Sequence, residues 1–193
     1  FSTLLVSEQS EITPEEIEEY AALIEKNGQL LMFLISDILD LSKIESNTME
    51  FNIYTFSLNG MFADIARMQQ LNMKLDVELI VDLPEEDTEI TADSARLGQV
   101  VNNLINNAVK FTLAGSIRIG YHRAGEDMVE LFVEDTGKGM SEEVLGHIFE
   151  RFYKGDSFVQ GTGLGLAICK TIVEYFNGEI GARSKPGEGA RFE

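Results

Sequence analysis

The sequence is short of several things, and each shortage excludes something. It has one cysteine, Cys169, so no internal disulfide can staple it and a reducing, cytoplasmic setting fits. Cys169 itself reads as a small apolar helix residue. Basic residues are scarce: 15 Lys and Arg stand against 33 Asp and Glu, a net charge of -18. That balance argues against a nucleic-acid partner, which needs a basic surface. Any anionic ligand must be met by local N–H groups, a few cationic side chains and a metal. No apolar run approaches a membrane span and no signal peptide is visible, so no membrane contact is expected of this chain. There is no internal repeat. What remains is 193 residues, 44% of them apolar, enough for one good core plus an extra element or two small domains. The chain begins at Phe1 and stops at "GARFE", which reads as a strand cut short, so a piece of a longer protein is expected.

"TPEE" at 13 to 16 is a helix start: Thr13 can cap, Pro14 suits the first position, and Glu16 completes a capping box. No proline interrupts the run to about Glu45. Ile17, Tyr20, Ile24, Asn27, Leu31, Leu34, Ile38 and Leu41 form a heptad seam, which Leu23, Leu30 and Ile44 widen. A stripe that wide suits a helical bundle better than a two-stranded coil. Phe1 to Ser7 would be the tail of an earlier helix, with 8 to 13 as the turn of an antiparallel hairpin. After Ser46 the texture becomes mixed. Strands are expected at 49–56, 74–83, 88–93, 115–124 and 127–135, with Gly125 turning the last pair. Helices are expected at 57–71, from the Asp93 cap to about Lys110, at 141–152 and at 163–176, before two short final strands. Strands and helices do not alternate strictly, so the expected class is α+β.

Three stretches carry chemistry. In "NNLINNAVKF", 102 to 111, four of the first six residues are Asn, a poor helix former. Yet Leu97, Val101, Leu104 and Ala108 demand a helix. Asn103, Asn107, Lys110 and Phe111 then share a neighbouring face, either a nucleotide wall or a solvated polar face. An amide oxygen is a hard ligand that can join phosphate and water around Mg²⁺. In "VEDTGKGM", 133 to 140, a strand delivers Asp135 and two glycines, Gly137 and Gly139, free the backbone. An ionised Asp only accepts, so it could read the exocyclic amine of adenine; the alternative is a plain turn. In "GTGLGLAIC", 161 to 169, alternating glycines open a helix, a setting that favours phosphate. The Rossmann spacing, the Walker A motif and the protein-kinase set are all absent.

Taken together, these stretches resemble the boxes of sensor histidine kinases. "NNLINNAVKFT" resembles the N box, "DTGKGM" the G1 box, "IFERFY" at 148 to 153 the F box and "GTGLGL" the G2 box. "ISDILDLSKIES" at 35 to 46 looks like the end of the dimerisation hairpin and its linker. The resemblance spans essentially the whole chain. It implies a two-layer sandwich, a mixed sheet under helices, over 47–193, preceded by part of a dimerisation hairpin over 1–46. It implies ATP and Mg²⁺ as ligands. Asp135 would contact the adenine amine beside Gly137, Gly139 and Met140. Asn107 with Asn103 would hold Mg²⁺, and Lys110 and Phe111 would border phosphates and base. Residues 153–162 would form a lid, with Gly161, Thr162, Gly163, Leu164 and Gly165 at the phosphates. Arg151 and Lys154 are weaker phosphate candidates. A response-regulator receiver domain and, in the intact protein, a second copy are the implied partners.

Two features bear on the activity. Gyrase-like relatives of the fold carry a Glu four residues before the metal-binding Asn, as a base for water; here Asn103 stands there. An amide cannot take that proton near neutral pH, which disfavours hydrolysis and favours transfer to a histidine. The family's phosphoacceptor lies in an H box, and this chain departs from the pattern: His122 and His147 lack its neighbours and read as structural or surface residues. The chain is therefore expected to bind ATP without phosphorylating itself at the usual site. A non-catalytic ATP-binding dimerisation scaffold and a gyrase-type ATPase are the competing readings.

Overall fold

A computed structural model describes residues 13–46, 48–125, 128–155 and 162–193. The expected helix tail at 1–7, its turn, Gly161 and most of the expected lid lie outside the described residues. The chain divides into two compact units, Phe1–Thr48 and Met49–Glu193.

In the first unit, α1 spans Pro14–Glu45. Its start is the expected capping box: Thr13 Oγ1 accepts from Glu16 N–H at 3.2 Å, and Glu16 Oε2 accepts from Thr13 N–H at 2.8 Å. Seam residues Ile17, Ile24, Leu31 and Ile38 are exposed. Among the described residues no helix is long and apolar enough to cross a membrane.

The second unit runs β1 (Tyr54–Ser57), α2 (Leu58–Gln70), β2 (Val77–Asp82), β3 (Glu89–Ala92), α3 (Ser94–Phe111), β4 (Gly115–Arg123), β5 (Val129–Asp135), α4 (Glu142–Leu145), α5 (Gly165–Tyr175), β6 (Ala182–Ser184) and β7 (Ala190–Phe192). Five strands form one mixed sheet, β2-β4-β5-β7-β6, parallel only between β2 and β4; β1 and β3 pair separately and antiparallel. Alternation sorts the sheet's faces. Ile117, Ile119 and Tyr121 of β4, with Val133 of β5, are buried with Phe62 and Ile65 of α2, Val101, Leu104 and Ile105 of α3, and Ile168 and Ile172 of α5. The opposite face is a charged ladder. Arg191 meets Glu130 at 2.9 Å, Glu193 at 3.1 Å and Glu134 at 3.7 Å, and its guanidinium lies 4.3 Å from the Phe132 ring centroid. This is the expected α+β sandwich of a mixed sheet and helices.

Two element expectations need correction. The strand expected at 49–56 is regular only at Tyr54–Ser57, because its partner β3 offers four residues. Upstream of β1 the chain is pinned by side chains instead: Phe51 stacks on Tyr175 at 3.5 Å between ring centroids, and Asn52 N–H donates to Asp93 Oδ2 at 2.8 Å. The helix expected at 141–152 is one turn, Glu142–Leu145. Beyond it Phe152 takes a left-handed conformation (φ 63°) that no helix can continue, and its N–H donates to Gly163 C=O at 2.8 Å.

Candidate functional site

The Asn-rich stretch is helical because its caps and apolar face outweigh Asn's poor propensity. Asp93 Oδ1 accepts from Arg96 N–H at 3.0 Å, and Leu97, Val101, Leu104 and Ala108 are buried. At the other end Lys74 Nζ donates to Val109 C=O at 2.5 Å and Thr112 C=O at 2.8 Å. A cation on these last carbonyls offsets the negative end of the helix. Asn103, Asn107, Lys110 and Phe111 emerge half-buried along one stripe.

One end of that stripe meets Asp135, the last residue of β5, which is buried. Its Oδ1 accepts from Gly137 N–H at 2.8 Å and, at the limit of a hydrogen bond, from Thr112 Oγ1 at 3.5 Å; Ala190 N–H also bonds the carboxylate. Burial raises its pKa above the ordinary Asp value, and these three donors oppose the rise. An ionised carboxylate offers about four acceptor positions, so capacity remains for one further donor. A Cβ on Gly137 would sit 2.6 Å from Phe111 C=O, so only glycine lets the base loop lie this close to the end of α3. The Phe111 ring carries two ammonium groups near it, Lys110 Nζ at 5.2 Å and Lys138 Nζ at 4.9 Å from its centroid. An open depression of about 400 Å³ runs along the β6–β7 hairpin and reaches Asp135, its lining rich in charged groups such as Glu134, Arg183, Lys185, Glu188 and Arg191.

The other end of the stripe meets α5. Asn103 Nδ2 donates to buried Cys169 Sγ at 3.7 Å, and a Cβ on Gly165 would stand 3.7 Å from the same nitrogen. The amide therefore lies against the first turn of α5. Among the described residues that turn has no side-chain cap, whereas Thr13, Ser57, Asp93 and Ser141 each cap theirs. The N–H groups of such a turn and the helix dipole favour an anion. Just before it, Gly163 has φ +73°, Leu164 is buried, and Leu164 N–H donates to Thr162 Oγ1 at 3.0 Å. Arg151 and Lys154 are exposed on the far side of the undescribed segment. Both histidines are surface residues beside glutamates: His122 lies 3.5 Å from Glu130 and His147 2.7 Å from Glu150.

The sequence reading missed three neighbours of the site. Thr112 and Ala190 bond Asp135, and Ser184 Oγ accepts from Met140 N–H at 2.8 Å. Thr112 ends the quoted stretch "NNLINNAVKFT" and could have been found. Nothing local marks Ser184 or Ala190.

A helix face of amides and a cation, a buried carboxylate and a glycine-led helix thus come together in one α+β domain. Residues 92–193 match the family described as histidine kinase-, DNA gyrase B-, and HSP90-like ATPase. The chain belongs to this family. It is 35% identical to the sensor histidine kinase GacS of Pseudomonas protegens over 96% of its own length and 21% of that protein's, so it spans about a fifth of that relative. Its fold is similar to that of full-length ShkA in complex with AMPPNP, with a TM-score of 0.79 and 28% identity over 96% of this chain and 39% of that one. It is also similar to histidine kinase ThkA in complex with the response regulator TrrA, with a TM-score of 0.72 and 25% identity over 99% of this chain and 54% of that one.

Proposed function

We propose that this chain is the ATP-binding catalytic region of a two-component sensor histidine kinase, working in the cytoplasm. Residues 47–193 form its catalytic domain, and residues 1–46 belong to a helical dimerisation hairpin that pairs with a second copy through the α1 seam. Asp135 accepts the adenine amine, with Gly137, Gly139 and Met140 shaping the base loop and Phe111 beside it. Lys110, Thr162, Gly163, Leu164 and Gly165 meet the phosphates, with Gly161, Arg151 and Lys154 as outer candidates. The observation that carries this reading is the position of Asn103, bonded to Cys169 and close to Gly165 at the start of α5, whose N-cap Leu164 makes no side-chain cap. It supports the reading because it brings an amide face beside the start of α5, with the Asp135 carboxylate near the far end of the same amide-bearing helix.

The donor set fits Mg²⁺. Among the described residues no cluster of three His, Cys, Asp or Glu could hold a metal. Asn107 and Asn103, one turn apart, would hold the ion through hard amide oxygens together with phosphate oxygens and water. The ion would neutralise phosphate charge. The chain's own part is to orient the γ-phosphoryl group toward a histidine supplied from outside these residues, from which a receiver-domain Asp takes it. Asn103 supplies no base for water, and that favours transfer over hydrolysis.

The test is label transfer from γ-labelled ATP with Mg²⁺, comparing this chain with one extended through its native upstream helix. Acid-labile, base-stable label on the extended chain alone is expected. Steady phosphate release by this chain without any label transfer would favour a gyrase-type ATPase. ATP binding with neither chain labelled would favour the non-catalytic scaffold.

A further inference from the structure

The base loop, Thr136 to Met140, has no regular structure of its own, yet it must hold one geometry around Asp135. The turn between β6 and β7 supplies the support. Ser184 Oγ accepts from Met140 N–H at 2.8 Å and donates to Gly189 C=O at 2.6 Å. Gly187 N–H donates to Lys138 C=O at 2.7 Å. The two backbones are nearly in contact: a Cβ on Gly139 would sit 1.9 Å from Lys185 C=O, and one on Gly189 would sit 1.9 Å from Asp135 C=O. Both glycines have positive φ, +65° and +80°. So the hydroxyl of Ser184 joins the end of the base loop to the residue that packs on the backbone of the base reader.

We propose that Ser184 is a positioning residue for base recognition, acting through Met140 and Gly189 to fix the aim of Asp135. This rests on the nucleotide reading above and adds a residue from the far hairpin to it. A hydroxyl is needed because one atom must accept and donate at once. An alanine there leaves Met140 N–H and Gly189 C=O without that partner, and the loop reorganises to satisfy them. Ser184 has no direct role toward the nucleotide, so its loss reads out as poorer discrimination between bases.

The experiment measures equilibrium binding of ATP and of inosine triphosphate, with Mg²⁺, to this chain and to its Ser184→Ala, Ser184→Thr and Ser184→Cys variants, alongside thermal midpoints. Inosine triphosphate carries a carbonyl where ATP carries the amine. Ser184→Ala is expected to weaken ATP binding about tenfold and to shrink the preference for ATP. Ser184→Thr, which keeps the hydroxyl, should restore both. If Ser184→Ala does not fold, Ser184→Cys carries the test, because its weaker sulfur hydrogen bonds should lower the preference in part. A variant with a lowered thermal midpoint and an unchanged ATP preference overturns the proposal and leaves a purely structural staple. If the unsubstituted chain binds ATP and Asp135→Asn loses it while Ser184→Ala keeps both affinity and preference, only the Ser184 proposal fails. Absence of ATP binding by the unsubstituted chain overturns the nucleotide reading and the proposal with it.

Discussion

Replacing Asp135 with Asn separates folding from binding, and the structure gives the magnitudes. The buried carboxylate accepts from Gly137, Ala190 and Thr112 and keeps capacity for one more donor. The adenine amine would take that place as a hydrogen bond to a charged group, worth about 1.5–3 kcal/mol, or about ten- to 150-fold in Kd. Asn keeps the shape but has only one oxygen, which stays with the backbone donors, and its NH₂ opposes the amine. Folding should change less, because two effects offset. Asn leaves one internal donor poorly paired, but it removes a carboxylate whose ionised form the burial disfavours. The sign of the pH dependence follows. A carboxyl with a raised folded pKa contributes stability at low pH that is lost as pH rises through the ordinary Asp range to the folded value. Nucleotide binding runs the other way: it needs the ionised form and is lost on acidification at a pH above the ordinary Asp range. Titration calorimetry with ATP across pH, beside thermal unfolding, reads both. The expected result is a variant that folds normally, binds at least about tenfold more weakly, and loses the acid limb of binding. Affinity within about threefold of the unsubstituted chain at neutral pH would refute the base-site assignment.

Two further predictions concern stability. Gly189→Ala forces a left-handed alanine whose Cβ meets Asp135 C=O at 1.9 Å, so unfolding should cost more than about 2 kcal/mol less than in the parent. A change within about 0.5 kcal/mol by denaturant titration would show that the hairpin yields without strain. Glu130 has a lowered pKa, chiefly through its hydrogen bond from Arg191. Its contribution is therefore present above its ordinary pKa and is lost as pH falls through the lower folded value. Arg191→Met should flatten stability against pH in that acid window, and an unaltered acid limb in circular-dichroism titrations would show that the ladder carries no such linkage.

Much of this protein was legible in its sequence because the signals were local. A helix cap is made within four residues, so Thr13, Ser57 and Asp93 announce α1, α2 and α3 in the chain itself. The hairpin of β4 and β5 is marked by its own alternation and turn. The amide stripe and the carboxylate before the glycines were legible for the same reason, since the one needs only helical spacing and the other only a strand followed by glycines. The two misjudged elements show where local signals end. Residues 49–53 have strand-like composition, but pairing depends on the length of β3, some forty residues away. The helix after Ser141 has helical composition, but Phe152 is held out of it by its bond to Gly163.

The sequence by itself determined the amide stripe of α3, the carboxylate that ends β5 and the glycine-led start of α5, because side-chain chemistry and periodicity are properties of the chain. Only the tertiary structure decided what supports them. It set Cys169 behind Asn103, Thr112 and Ala190 around Asp135, and Ser184 beneath Met140. Each of these contacts joins elements far apart in the chain, and such pairings come from packing the sheet and its helices on one core, which no local spacing encodes.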